Sequence, residues 1–338
     1  MDMKLSGTLT QVLVIEDSSQ VGHARRTAQQ LAETQGFDPV DAGRVALAVT
    51  ELASNHLKHA TSGELHLRVV PAGSVTGIEI VAVDRGPGLD IQRCLEDGFS
   101  TGGTQGIGLG AISRQADVFD VHADARGTVI LCRFYPRAVK VRDLKFGASQ
   151  HSLLNDPACG DVWSLVVQNG RLSALVVDGL GHGTEAELAA RAGEAAFARA
   201  PFDAGVAVLD EMHYAMKGTR GGAVAVAQFD PQHDLLRFVG IGNIGATVIG
   251  DERTHGLASH PGIVGLQFRK AQTFEHPNAV GRLLVMYSDG LQSRWNLRDY
   301  PGLIYRHPAV IAALLHRDFC RGRDDVTVLV IALEAIND

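Results

Sequence analysis

The chain has 338 residues, a formal net charge of −7, 45% hydrophobic and 20% charged residues, an ordinary globular composition long enough for two domains, each with a proper core. The acidic balance gives no support for a nucleic-acid or acidic-membrane partner. Its 4 cysteines, Cys94, Cys132, Cys159 and Cys320, lack zinc-type spacing; with no signal-peptide pattern and no apolar run near the ~20 residues of a membrane span, a cytoplasmic protein is expected.

From about Asp38 to Ala60 the chain reads as a helix, because Val45, Ala48, Val49 and Leu52 form an apolar stripe at helical spacing. Beside that stripe Glu51, Asn55 and Lys58 fall within an arc of about 60° on a 3.6-residue helix. A carboxylate, an amide and an ammonium therefore share one ridge, although any solvated helix face also shows polar residues at this spacing. IEIVAV (78–83) is a buried-type strand that delivers Asp84 into DRGPGL, and STGGTQGIGLG (100–110) leads into a new helix near Ala111. Glycines let the backbone come close to a ligand, and free N–H groups at a helix start favour phosphate. Gly127-Thr128 then begins another strand, TVILCRF.

ELASNHLKHA, DRGPGL and GIGLGAISR, in that order, resemble the N, G1 and G2 boxes of the GHKL ATP-binding fold, and DGFSTGG (97–103) is closest to its RsbT switch-kinase branch. The resemblance spans about residues 8 to 135. It implies that Asn55 coordinates Mg²⁺, with Lys58 on the same ridge, and that Asp84 recognises the adenine amino group with Thr128 assisting. It also implies that Gly86 and Gly88 form the first glycine box, that Gly106, Gly108 and Gly110 cover the phosphates, and that Glu51 is the candidate base of a kinase or ATPase step. No phosphoacceptor histidine segment precedes this region and no gyrase-type transducer follows it.

The short basic stretch YPRAVKVRDLK (135–145) is expected to be the linker. Beyond it, VWSLVVQ (162–168) and RLSALVVD (171–178) flank Asn169-Gly170, a strong signal for a two-residue hairpin turn. Such a loop sets the register: Gln168 faces Arg171, and counting outward places Asp161 opposite Asp178, with Cβ atoms about 5 Å apart. Facing carboxylates repel unless one is protonated or a cation lies between them, and hard oxygen ligands suit Mg²⁺ or Mn²⁺. RLLVMYSD (282–289) ends in Asp289, and Asp324-Asp325 opens DVTVLVIAL. Strand ends pointing the same way would cluster all four, while ordinary turn chemistry also places Asp at strand ends.

CGDVW (159–163), VDGLGHG (177–183), YSDGL (287–291) and GRDDVTVLV (322–330) resemble the metal-binding motifs of the SpoIIE and RsbX branch of PPM-type serine/threonine phosphatases, over roughly residues 140 to 335. The resemblance implies that Asp178 bridges two metal ions and that the Gly179 carbonyl binds one. Asp289 and Asp324 then complete the other ion's shell and Asp161 supports the cluster, whereas Asp325, where the family commonly has Asn, is expected to hydrogen-bond nearby. Thr184-Glu185-Ala186-Glu187 is a capping-box pattern that should start an alanine-rich helix running to about Ala200. His182, inside a glycine-rich turn, is left outside the catalytic set. GIGNIG (240–245) matches the dinucleotide fingerprint GxGxxG, but it follows LLRFV in an expected hairpin with VAVAQFD rather than a βαβ unit, so it is read as a turn.

Two α/β domains in series are expected. Residues 1–136 form a GHKL (Bergerat-type) α/β sandwich with a mixed sheet and helices on one face, 137–145 the linker, and 146–338 a PPM-type phosphatase of two stacked antiparallel sheets flanked by helices. The implied function is a metal-dependent protein serine/threonine phosphatase using two Mn²⁺ or Mg²⁺ ions, acting on a phosphorylated STAS-domain antagonist or scaffold protein in a partner-switching pathway. Its ATP-binding domain, which takes ATP with Mg²⁺, is either a serine/threonine kinase or a non-catalytic, nucleotide-gated module that captures the partner. A catalytically dead scaffold is disfavoured, since a buried carboxylate cluster without metal is costly.

Overall fold

The structure, a computed structural model, describes residues 2–60, 62–73, 75–91, 94, 108–139, 141–250 and 253–335. The chain forms two compact units that exchange segments. One holds Met1–Leu9, Lys145–Trp295 and Leu315–Asp338, and the other holds Thr10–Leu144 and Asn296–Leu314. Strand β1 (Met3–Ser6) belongs to the first of these.

The second unit begins with β2 (Gln11–Ile15) and α1 (Ser18–Thr34). Asp17 caps α1 by accepting from Ser19 N at 2.7 Å and Gln20 N at 3.3 Å, and the Gln20 side chain returns to Asp17 N at 2.9 Å. In α2 (Pro39–His59), Asp38 accepts from Val40 N and Asp41 N, Pro39 occupies the first turn, and His56, Lys58 and His59 occupy the last. There follow β3 (Gly63–Ala72), β4 (Val75–Asp84), α3 (Leu109–Gln115), β5 (Val118–Asp124) and β6 (Gly127–Phe134).

Five strands form one sheet in the order β2-β3-β4-β6-β5, and every neighbouring pair is antiparallel. The mixed sheet expected from sequence therefore does not form. β5 runs in the same direction as β4, but the tight β5–β6 hairpin inserts β6 between them. Ala24, Ala28 and Ala32 of α1 and Val45, Val49 and Leu52 of α2 share one core with Leu65, Leu67, Ile78, Ile80, Ile130 and Phe134 of the sheet, so the helices cover one face as expected.

Opposite them lies a buried ionic cluster. Register places Glu79 between Arg68 and Arg133. Glu79 takes a hydrogen bond from Arg133 Nε at 2.8 Å and pairs with Arg68, while Arg133 Nη1 reaches Asp143 at 2.7 Å. Tyr135 Oη donates to Asp143 at 2.9 Å, and the His307 ring lies 3.0 Å from its other oxygen. Burial opposes the Asp143 charge, but Arg133 and His307 hold its carboxyl well below the usual carboxylate range. Residues 296–314 add further contacts to this unit: Arg306 pairs with Asp120 at 3.2 Å, and the Arg126 guanidinium stacks 3.6 Å from the Tyr300 ring.

The remaining strands are β7 (Phe146–His151), β8 (Asp161–Gln168), β9 (Arg171–Gly179), β10 (Gly222–Asp230), β11 (Leu235–Ile241), β12 (Gly245–Ile249), β13 (Thr254–Gly256), β14 (Gly262–Ile263), β15 (Gln267–Phe268), β16 (Phe274–Pro277), β17 (Arg282–Tyr287) and β18 (Val326–Leu333). They build a 6-stranded sheet, β1-β8-β9-β10-β11-β16, a 5-stranded sheet, β13-β12-β17-β18-β7, and the small β14-β15 pair. All pairings between these named strands are antiparallel. Helices α4 (Thr184–Phe197) and α5 (Gly205–Ala215) share a core with one face of the larger sheet through Ala189, Phe197, Leu209 and Met212 against Val162, Leu175, Val224 and Val239. A further helix, α6 (Pro308–Phe319), precedes β18. Phe146 of β7 meets Trp163 of β8 with ring centroids 5.8 Å apart, where the two sheets stack.

The capping box expected at Thr184 is not formed. Gly183, at φ 77, is the N-cap, with no side-chain cap, and its carbonyl accepts from Glu187 N at 3.0 Å, so Thr184 is already helical and α4 ends at Phe197. β10 and β11 pair from Val224↔Ile241 to Asp230↔Leu235, so the expected hairpin forms, and GIGNIG is the turn that leads from the end of β11 into β12 rather than part of a βαβ unit.

Candidate functional sites

The DRGPGL loop packs beside the last turn of α2. Asp84, at the end of β4, accepts from Gly86 N at 2.7 Å and from Thr128 N at 3.1 Å, which joins the DRGPGL loop to the start of β6. A Cβ on Gly88 (φ +79) would lie only 2.4 Å from Asp124 O, so that position requires a residue without a side chain, and a Cβ on Gly86 would lie a tight 3.0 Å from His59 O. Glu51, Asn55 and Lys58 share α2. Burial raises the Glu51 carboxyl above its ordinary value while the nearby Lys58 charge opposes the shift, which places those two groups on one ridge. Gly108 is the N-cap of α3 and Gly110 is buried in its first turn. Gly106 and the 97–103 segment lie outside the described residues.

His56, between these groups, is buried and its ring is pushed down to about 4 by burial, with the Asp84 and Glu64 charges opposing. A Cβ on Gly63 would come within 2.1 Å of its ring. The assembly fits an adenine nucleotide: a carboxylate held by backbone N–H groups, beside a glycine loop in which Gly88 admits no side chain.

At the other site the hairpin has the expected register. Asn169 (φ 51) and Gly170 (φ 73) turn the chain, Gln168 faces Arg171, and Asp161 faces Asp178. Asp161 is 1% exposed and accepts from Ser288 Oγ at 2.6 Å. Burial raises its carboxyl, and Asp325 and Asp324 add to the shift while the Ser288 hydroxyl opposes it. Asp178 is pushed up to about 9 by burial and by the charges of Asp161, Asp289 and Asp324. Asp324 is likewise raised by burial and by Asp289 and Asp325, with the His182 charge opposing. The four aspartates therefore act on one another, as their clustering at strand ends requires.

Asp325 has a different task. It is 3% exposed and accepts from Leu153 N at 2.7 Å and Gly160 N at 2.6 Å. A Cβ on Gly179 would lie 2.2 Å from Ala186 O and one on Gly290 2.0 Å from Asp325 O, so the residues after Asp178 and Asp289 must both be glycine.

Among the described residues no three His, Cys, Asp or Glu side chains are drawn together as a closed metal cage. The donor set still fits a hard divalent cation, because it is all oxygen, largely buried, and carries carboxyls raised by one another's charge.

Two supporting residues escape the sequence reading. Asn243 Nδ2 donates to Asp289 Oδ2 at 2.7 Å across 46 residues of chain, so the GIGNIG turn, read as scaffold, holds a site carboxylate. Ser288 bridges Asp161 and Thr327 N, the latter at 2.9 Å. YSDGL already placed Ser288 next to Asp289, but no local signal announces the partner of Asn243.

The family model described as histidine kinase-like ATPase domain matches residues 15–134, and that of stage II sporulation protein E (SpoIIE) matches residues 168–334. Over 109 residues, 32% of this chain and 82% of the relative, the sequence is 38% identical to serine/threonine-protein kinase RsbT of Bacillus subtilis (strain 168). A solved structure described as the bacterial stressosome, a modular system adapted to control secondary messenger signaling, is similar over 56% of this chain and 99% of its own, with 25% identity and a TM-score of 0.52. The PP2C phosphatase domain of SpoIIE from Bacillus subtilis with a fragment of its regulatory domain shares the fold, at 16% identity and a TM-score of 0.50, over 95% of this chain and 93% of that one. Among the described residues no helix is long and apolar enough to cross a membrane. The chain belongs to the RsbT family of histidine kinase-like ATPase domains, joined in one polypeptide to a SpoIIE/PP2C-type phosphatase domain.

Proposed function

We propose that this is a cytoplasmic signalling enzyme that removes phosphate from serine or threonine of a phosphorylated STAS-type partner in a partner-switching pathway. The observation that supports this reading best is the facing pair Asp161 and Asp178, whose carboxyls are raised by burial and by a surrounding acidic cluster. Asp178 would hold two Mg²⁺ or Mn²⁺ ions between them, the Gly179 carbonyl one of them, and Asp289 and Asp324 the other, with Asp161 as support. When bound, such ions supply an activated water and neutralise charge on the phosphoryl oxygens. The chain's own part is to orient these ligands: Ser288 fixes Asp161, Asn243 fixes Asp289, and the Asp325 carboxylate ties the 153–160 segment to the start of β18.

The ATP-binding domain is read as a serine/threonine kinase that acts on the same class of partner. Asn55 would carry Mg²⁺ with Lys58 on the phosphate side, and Asp84 with Thr128 the adenine. Gly86, Gly88, Gly106, Gly108 and Gly110 would line the nucleotide, and Glu51 would be the base. Identity to a relative named as a kinase supports this, as does a half-buried Glu51 whose proton affinity is raised toward that of a working base.

The test uses a phosphorylated STAS partner. Wild type should release its phosphate in Mn²⁺, and Asp178→Ala should lower that rate by several orders of magnitude, roughly the scale of losing a metal-activated water. In the Asp178→Ala background, radiolabel from ATP should reach the partner and disappear with Glu51→Gln. Nucleotide-dependent partner binding without transfer would replace the kinase with a binding module, and near-normal hydrolysis by Asp178→Ala would refute the metal assignment.

A further inference from the structure

The aspartates proposed as metal ligands are all acidic, and beside the ions they would hold, a cation of the protein's own could orient a phosphoester, which carries negative charge itself. The structure offers one. Arg220 is exposed, and its Nη1 lies 3.0 Å from the point where a Cβ would stand on Gly181. Gly181, at φ +87, sits in the DGLGHG turn, next but one to Gly179. The guanidinium therefore lies over the turn that carries Asp178 and Gly179, in space that the absent side chain leaves open.

The backbone under Arg220 is held from several sides. Gly221 O accepts from Leu180 N at 2.9 Å, Gly222 N donates to Val264 O at 3.0 Å, and Thr219 Oγ1 accepts from Gly221 N at 3.0 Å while donating to Met216 O at 2.6 Å. From there the strand register runs Gly222↔Gly179 and Ala223↔Asp178, so the loop bearing Arg220 is locked to the aspartate strand. No carboxylate among the described residues forms an ion pair or hydrogen bond with the Arg220 side chain. An arginine held over this turn without being neutralised by a carboxylate keeps its planar fork of donors for another anion.

We infer that Arg220 is the phosphoryl-binding residue of the phosphatase domain, donating through its guanidinium to the substrate's non-bridging phosphate oxygens; this rests on the phosphatase reading above. In the reaction, water oxygen bonds to phosphorus, the bond from phosphorus to the serine or threonine oxygen breaks, and a proton from that water leaves on the released hydroxyl. Arg220 keeps its proton throughout, and it orients the phosphate and offsets its charge.

The experiment compares wild type, Arg220→Ala and Arg220→Lys on p-nitrophenyl phosphate in Mn²⁺. KM, kcat, the inhibition constant of inorganic phosphate and the Mn²⁺ concentration for half activation are read for each. For Arg220→Ala, KM and the phosphate inhibition constant should rise together by about 10–100-fold while the Mn²⁺ requirement stays put, as expected for a lost charge-assisted contact to the phosphate itself. Arg220→Lys should recover part of the loss, since it restores the charge but not the fork. A KM and a phosphate inhibition constant both within about two-fold of wild type would overturn the assignment of Arg220 alone. So would a loss of kcat accompanied by a changed Mn²⁺ requirement, the mark of a merely structural role. A wild-type chain that hydrolyses no phosphoester would overturn the phosphatase reading, and this inference with it.

Discussion

Asp178→Asn removes one charge from the facing pair and keeps the shape of the side chain, so it isolates the electrostatics of the metal-side cluster. In the metal-free chain burial and the charges of Asp161, Asp289 and Asp324 push the Asp178 carboxyl up to about 9, from an ordinary 3.8. A folded-state value above the unfolded one means that the native state binds more protons. Stability from this group is therefore fully present below the ordinary carboxylate range and is lost as pH rises toward 9. At about 1.4 kcal/mol per unit, the wild type should lose about 4 kcal/mol from this residue between roughly pH 5 and pH 8 in a chelator. Asn cannot ionise, so Asp178→Asn should be more stable than wild type by about 2–4 kcal/mol near pH 8, the gap closing toward about pH 4. Both tryptophans, Trp163 and Trp295, lie in the unit that carries the cluster. Urea unfolding followed by their fluorescence at several pH values therefore reports on the correct unit. A variant that is no more stable than wild type at high pH, or whose advantage does not vary with pH, would refute the account of unneutralised facing carboxylates.

Asn243→Ala frees the Asp289 carboxylate from a side-chain donor; the Mn²⁺ requirement for hydrolysis should rise by about 10–100-fold, measured as the half-activating concentration, while an unchanged requirement would show that the bond is incidental. Asn55→Ala should weaken Mg·ATP binding in calorimetry and leave hydrolysis of an aryl phosphate intact, because two compact units with separate cores carry the two sites. Glu79→Gln leaves Arg68 and Arg133 buried against a neutral amide, so chemical denaturation should show a loss of about 3–5 kcal/mol. A loss below about 1 kcal/mol would mean that the cluster reorganises around the amide.

What the sequence by itself determined is local. Asn169-Gly170 set a two-residue turn, and the strict two-residue period of a strand then carried the register outward to Asp161 opposite Asp178. The stretch read as helical from its apolar stripe, about Asp38 to Ala60, matches α2 to within a residue at each end. Gly179 and Gly290 stand directly after Asp178 and Asp289 in sequence, but the carbonyls that their backbones closely approach, Ala186 O and Asp325 O, were not legible there. Long-range pairing was decided only by tertiary structure. No neighbour in sequence tells Asn243 to meet Asp289, Asp325 to take the Leu153 and Gly160 amides, or β1 to extend the sheet at β8. The all-antiparallel order of the first sheet arose because a hairpin slipped β6 between β4 and β5, a choice among strand neighbours that periodicity leaves open. Nor does the basic character of residues 135–145 disclose that Asp143 closes a buried ionic cluster with Arg133, Tyr135 and His307. Such pairings are settled by which charges and edges remain unsatisfied once the local elements have packed, and that depends on the whole chain at once.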